Sequence, residues 1–187
     1  RLRDVVPDEL VADPARDQRG HVENNARMIV LYLLFAIAVC TTAYKIWRAR
    51  RDGRSEDDTY IAWGELLFYV LGVQYVIFGV MHAYFQSLAA PSIGWQPSPF
   101  EYELGWLEIP LGVVALASLW RGFEFRLAAT IMYATFAFAA AAQHLQEVLC
   151  CHNYAPNNAG PVLWFADLVL PGIAVVLAAM SAARRRA

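Results

Sequence analysis

Apolar residues gather into five long stretches, at about 28–44, 60–85, 104–120, 126–148 and 162–182, with polar and charged residues between them. A helix needs about 20 mostly apolar residues to cross the hydrocarbon of a bilayer. The pattern therefore predicts five transmembrane helices. The third stretch carries Glu108 and Pro110 near its start, where proline suits a first helical turn, and Trp106 and Trp120 mark its interfaces. No segment alternates with period two, so no strand is predicted. The expected fold class is an all-α polytopic bundle over residues 28–187. Residues 1–27, with Pro7, Pro14 and Gly20, form a polar tail that is solvated or docks a partner. Short helical turns are predicted there, as from Pro7 to Ala12. The tail has no apolar signal-peptide region, and it begins with Arg1 rather than Met, which points to a start upstream.

Composition sharpens this pattern. Hydrophobic residues make up 58% and charged ones only 17%, against about 25% in an ordinary soluble domain. Leu66 to Phe100 is 35 residues without a charge, and the net charge of −2 offers no basic excess for nucleic acid. Ten of the 15 basic residues fall between stretches one and two (Lys45, Arg48, Arg50, Arg51, Arg54), between three and four (Arg121, Arg126) and at the C-terminus (Arg184, Arg185, Arg186). Loops 86–103 and 149–161 carry none. The positive-inside rule puts the C-terminus in the cytoplasm and the N-terminal tail outside.

Ionisable groups in hydrocarbon are costly and face the bundle interior. Glu65, Gly72, Tyr75, Gly79, His82 and Gln86 share one face of span two, and Tyr133, Ala137, Ala140, His144 and Glu147 share one face of span four. Small residues mark where helices meet, so Gly72 and Gly79 are expected against Ala137 and Ala140. Both spans run outward. Their last turns place His82, Gln86, Gln143, His144 and Glu147 at one depth, joined by His152, Asn157 and Asp167 as a candidate polar pocket. Gln86 and Glu147 are the expected hydrogen-bond partners of the histidines. The loop Pro91–Phe100 is either a rigid aromatic interface or a lid over this cluster.

Three chemistries compete with a purely structural reading. His82 and His144, on helices of like direction, suit haem ligation from two sides. Cys150, Cys151 and His152 with His144 lack the C-x₂₋₄-C spacing of structural zinc, so no metal site is assigned. The face from Glu65 to His82 suits a proton or small-molecule path, with Tyr75 alone filling about 25 Å between them. Three cysteines leave an odd thiol. Cys40 lies deep in span one, and Cys150 and Cys151 are expected as free thiols or in an intermolecular bond. No catalytic constellation appears.

The run His144–Leu–Gln–Glu147, then His152–Asn–Tyr–Ala–Pro–Asn–Asn–Ala–Gly–Pro161, Trp164 and Asp167, with Gly94–Trp–Gln–Pro–Ser–Pro–Phe–Glu101 through Gly105, resembles the signature of an uncharacterised bacterial family of small polytopic membrane proteins. That family carries an H-N-x-A-P-G-N-A-G-P turn, and the chain is also distantly similar to DoxX-type proteins. The resemblance covers roughly residues 60–182 and implies a fold but no activity. Asn157 stands where the family carries glycine, and asparagine tolerates a positive φ if the position needs one. The reading that fits best is a non-catalytic accessory subunit that packs against lipid and other membrane subunits. The alternative is a redox (haem-binding) or transport protein built on His82, His144 and Glu147.

Overall fold

The computed structural model describes the backbone of residues 14–160 and 163–186, and side chains within these stretches from residue 29 onward. Among the described residues every regular element is helical. The order is α1 (Pro14–Arg51), α2 (Asp58–Glu65), a π-helical segment (Leu66–Val73), α3 (Gln74–Tyr84), α4 (Gln86–Ser92), α5 (Pro99–Ala117), α6 (Phe123–Cys151), α7 (Pro156–Ala159), a second π-helical segment (Leu163–Val169) and α8 (Leu170–Arg184). Five helical stretches are long and apolar enough to span a membrane: Ile29–Arg51, Asp58–Tyr84, Pro99–Trp120, Phe123–Cys151 and Pro156–Arg184. Hydrocarbon offers backbone groups no partners, so helices satisfy them internally.

The elements depart from the sequence expectation in three places. Helix α1 begins at Pro14, so the second half of the tail is continuous with span one. The expected turns at 7–12 lie outside the described residues. Span three begins at Pro99 rather than Leu104: proline takes the first turn, where its missing N–H costs nothing, and Pro110 lies inside the helix. Two spans are interrupted by π turns. In span five the cause is visible. Pro171 has no N–H to offer the carbonyls one turn earlier, and the Tyr133 hydroxyl donates to the Ala166 carbonyl at 3.1 Å instead.

Span two is the hub, touching all four other spans. Trp63, Leu67, Val70, Leu71 and Tyr75 are each at most 4% exposed. Its closest neighbour is span three. A methyl group on Gly105 would lie 2.5 Å from the Gly79 carbonyl oxygen, and one on Gly112 would lie 2.8 Å from that of Gly72. The two backbones thus meet directly. This corrects the expected partner: Gly72 and Gly79 face span three, and not Ala137 and Ala140 of span four. A helical face predicts contact but does not say with which neighbour. Span four meets span two through Tyr75 and Tyr133, whose rings are 4.9 Å apart.

The basic end is clasped. Arg126, 6% exposed, donates to the carbonyls of Ser118 (3.0 Å), Leu119 (3.0 Å) and Tyr60 (2.9 Å), and its guanidinium lies 4.0 Å over the Tyr60 ring. Asp57 caps α2 by accepting from the Thr59 N–H and also accepts from Arg184 at 2.6 Å. Lys45 of span one bonds the buried Glu65 of span two at 2.5 Å.

Candidate functional site

The intramembrane polar residues fall into two networks near the end opposite the basic one. The first forms where spans two and three cross. Close approach at Gly79 and Gly105 brings His82 against the inner face of α5. Glu101 and Glu108, seven residues apart and so on one face of that helix, bracket the imidazole. His82 Nδ1 is 3.2 Å from Glu101 Oε1, and Nε2 is 4.0 Å from Glu108 Oε2. Both carboxylates are buried. Buried charge is expensive unless compensated, and among themselves these three groups are neutral only when they share two protons. Deeper in the bundle, Glu108 lies within electrostatic reach of Asp167, and Asp167 lies within reach of Tyr75 and Tyr133. Beyond this layer, toward the basic end, the buried face of span two runs through Gln74, Leu71, Val70, Leu67 and Leu66 to Glu65, with Trp63 just past it.

The second network joins the end of α6 to α7. Helix α6 stops at His152, the one non-glycine residue with positive φ among those described, at 53°. The Glu147 carbonyl accepts from the N–H groups of His152 and Asn153. The Asn153 side chain then accepts from the Ala155 N–H (3.1 Å) and donates to the Ile93 carbonyl (2.9 Å) and to Glu147 Oε2 (3.4 Å). Asn158, fully buried, donates its amide to the carbonyls of Asn153 (2.8 Å) and His144 (3.4 Å). Its Oδ1 is therefore the acceptor facing His144 Nδ1 at 2.8 Å, so that nitrogen carries the proton. Trp95 stacks on the His144 ring, with centroids 6.1 Å apart.

The expected site residues thus divide. His82 joins Glu101 and Glu108 rather than Gln86, which is half-buried at the start of α4. His144 joins Asn158 and Trp95, and Glu147 serves Asn153 rather than either histidine. Gln143 and His152 are exposed, and the His152 ring lies 6.3 Å from that of Tyr154. Asp167 belongs to the deeper layer with Tyr75 and Tyr133. Asn157 is 3% exposed inside α7 with an ordinary φ, and its side-chain amide has no partner among the described residues. The positive φ expected there occurs at His152. Cys150 and Cys151 are free and exposed, as is Cys40 on the lipid face of span one.

The sequence pattern puts Glu108 near the start of span three and Glu101 in the loop before it, and neither among the expected site residues; the helix in fact begins at Pro99 and carries both. Their seven-residue spacing inside a span was the available signal. Glu108 Oε2 stands 4.0 Å from His82 Nε2, and Nδ1 of His144 is bonded to Asn158. Among the described residues no three His, Cys, Asp or Glu side chains converge closely enough to hold a metal ion.

The profile of a family described as a family of unknown function (DUF6790) matches residues 28–187. No curated protein and no solved structure matches.

Proposed function

Because the chain belongs to this family of unknown function, no activity comes with membership, and we propose from the side-chain geometry that it is a proton-exchanging transport protein of a bacterial inner membrane. The observation that carries the proposal is His82 held between two buried carboxylates of the neighbouring span. A histidine takes up and releases protons near neutral pH. Glu101 lies in hydrogen-bond range of one ring nitrogen and Glu108 faces the other at 4.0 Å, so a proton has an acid on each side of the ring once the second gap closes. Asp167, Tyr75 and Tyr133 extend the exchangeable groups inward by about two turns from His82, and a mostly apolar stretch of span two separates that layer from Glu65.

Proteoliposomes with an entrapped pH-sensitive dye, driven by a potassium diffusion potential, test this. The protein should pass protons faster than empty vesicles. Glu108→Gln, which removes the titratable acid facing Nε2, should lower the rate about tenfold or more, since one positioned proton-transfer group contributes about 10²–10⁴-fold. Glu103→Gln, on the exposed face of the same helix, should leave it unchanged. A rate equal to that of empty vesicles overturns the proposal. A Soret band in the purified protein would favour the redox reading instead.

A second reading, an accessory subunit of a larger assembly, draws on span one. It is the least buried of the five, and its helix runs 14 residues beyond the apolar stretch, from Pro14 to Arg27, about 20 Å at 1.5 Å per residue. A stable partner that co-purifies in mild detergent would favour it.

A further inference from the structure

We infer that segment 85–98 is a latched cover over the outer mouth of the His82 site, and that Asn153 is its latch. The meaning of the cover as a gate rests on the proton-exchange reading above, but the latch itself can be tested without it. Helix α3, which carries His82, breaks at Phe85, where φ is −128° and ψ 41°. The chain then turns into α4, which lies across the end of the bundle in contact with α1, α3, α5 and α7. Ala89, Ala90 and Ser92 on its inner side are each at most 7% exposed. At the end of α4 the N–H groups of Gly94 and Trp95 return to the carbonyls of Pro91 (3.1 Å) and Ala90 (3.0 Å). This closes the helix through Gly94 in the left-handed region, at φ 79°.

Gly94 is required twice over. Its φ suits glycine, and a methyl group there would lie 2.5 Å from Asn153 Oδ1. The space a side chain would fill is occupied by the asparagine that holds the cover. That asparagine donates to the Ile93 carbonyl, 60 residues away in sequence. Its own carbonyl is held by the fully buried Asn158, which also binds His144. Trp95 closes the contact by lying on the His144 ring. Toward the α6–α7 corner the cover is held by one side-chain hydrogen bond, from Asn153, and one ring stack, beside the packing of α4. Phe85 and Gly94 bound the segment between that corner and α3. Releasing that corner frees the segment to open locally while the spans stay packed.

The test uses the full chain in lipid nanodiscs, with Cys40, Cys150 and Cys151 changed to serine and a reporter cysteine at Ala90→Cys, buried on the inner side of α4. A water-soluble maleimide should label the reporter slowly. Asn153→Ala should speed labelling about tenfold, the scale of removing a hydrogen bond from an opening equilibrium. Gly94→Ala should do the same by displacing the asparagine. Gly53→Ala, equally strained at φ 68° but at the basic end, should not. A second reporter in the core, Ala137→Cys, must stay unreactive throughout. Fast labelling in the parent, unchanged labelling in Asn153→Ala, or parallel labelling of Ala137→Cys through general loosening each overturns the latch. If the latch variants behave as expected while Glu108→Gln leaves proton flux unaltered, the cover stands and the proton reading falls.

Discussion

Gly105 and Gly172 both lie within membrane helices, yet a methyl group should act on them in opposite directions. At Gly105 it would lie 2.5 Å from the Ala83 nitrogen and from the Gly79 carbonyl oxygen, both backbone atoms that cannot swing aside. The helices must part, which costs more than about 2 kcal/mol by overpacking. At Gly172 nothing lies within 4 Å, and alanine gains up to about 1 kcal/mol of helix preference. Thermal unfolding in detergent should show Gly105→Ala well below the parent and Gly172→Ala level with it or above. Arg126→Lys makes a second contrast. The guanidinium reaches three carbonyls in three directions, and an ammonium on a flexible stem cannot hold that geometry. Two lost charge-assisted bonds at a buried position predict a loss of about 3–6 kcal/mol in the same measurement, and a recovery to parental stability would show that the clasp is not needed.

Among the elements, the π turn of span five follows from one residue. Pro171 removes the donor, and the Tyr133 hydroxyl replaces it. Tyr133→Phe should therefore cost about 1–3 kcal/mol, as for a buried acceptor left unpaired. The cost should shrink when Pro171→Ala restores an N–H to the helix. A double-mutant cycle reads this directly, and additive effects would break the link between proline and tyrosine. This element also marks how far the sequence could be read. Spans announce themselves through length and charge, and all five were legible. So was the buried face of span two, because a period of 3.6 is a local property. What that face meets is not local, since Gly72 and Gly79 sit equally well against Ala137 or Gly112 until the loops fix the neighbours. Span three began five residues early for a related reason. Glu101 and Glu103 look like loop residues, yet one is buried against His82 and the other points outward. The π turn in span two follows no proline and had no signal at all.

For the whole molecule, orientation is the quantity on which every statement about an outer mouth depends. The native thiols report it. Cys150 and Cys151 are exposed at the end opposite the arginines, while Cys40 lies within span one. A membrane-impermeant maleimide added to intact cells should label the first two. Labelling only after lysis would invert the topology and turn the His82 site toward the cytoplasm. The two ends also differ in construction. The basic end is tied by ion pairs that reach from Lys45 to Arg184 across spans one, two and five. The opposite end is tied by amide side chains, the His82–Glu101 contact and one ring stack. The basic end should therefore exchange its amides more slowly than segment 85–98, measurably by hydrogen–deuterium exchange.

The pairing of span two with span three bears on how the chain enters the membrane during synthesis. Span three is the least apolar of the five and carries three glutamates, Glu101, Glu103 and Glu108. An acid near a helix centre opposes insertion by about 2.5–3.5 kcal/mol. Such a segment leaving the ribosome alone would be a poor client for the translocon. It does not emerge alone. Its histidine and the glycines it packs against were made immediately before it, and the two spans can leave the translocon as a preassembled hairpin. A nascent chain truncated after residue 122 should integrate both spans, as read by glycosylation acceptors placed in loop 86–98. Deleting span two, or changing Gly79 to a bulky residue, should leave span three stranded in the aqueous phase even though its own sequence is intact.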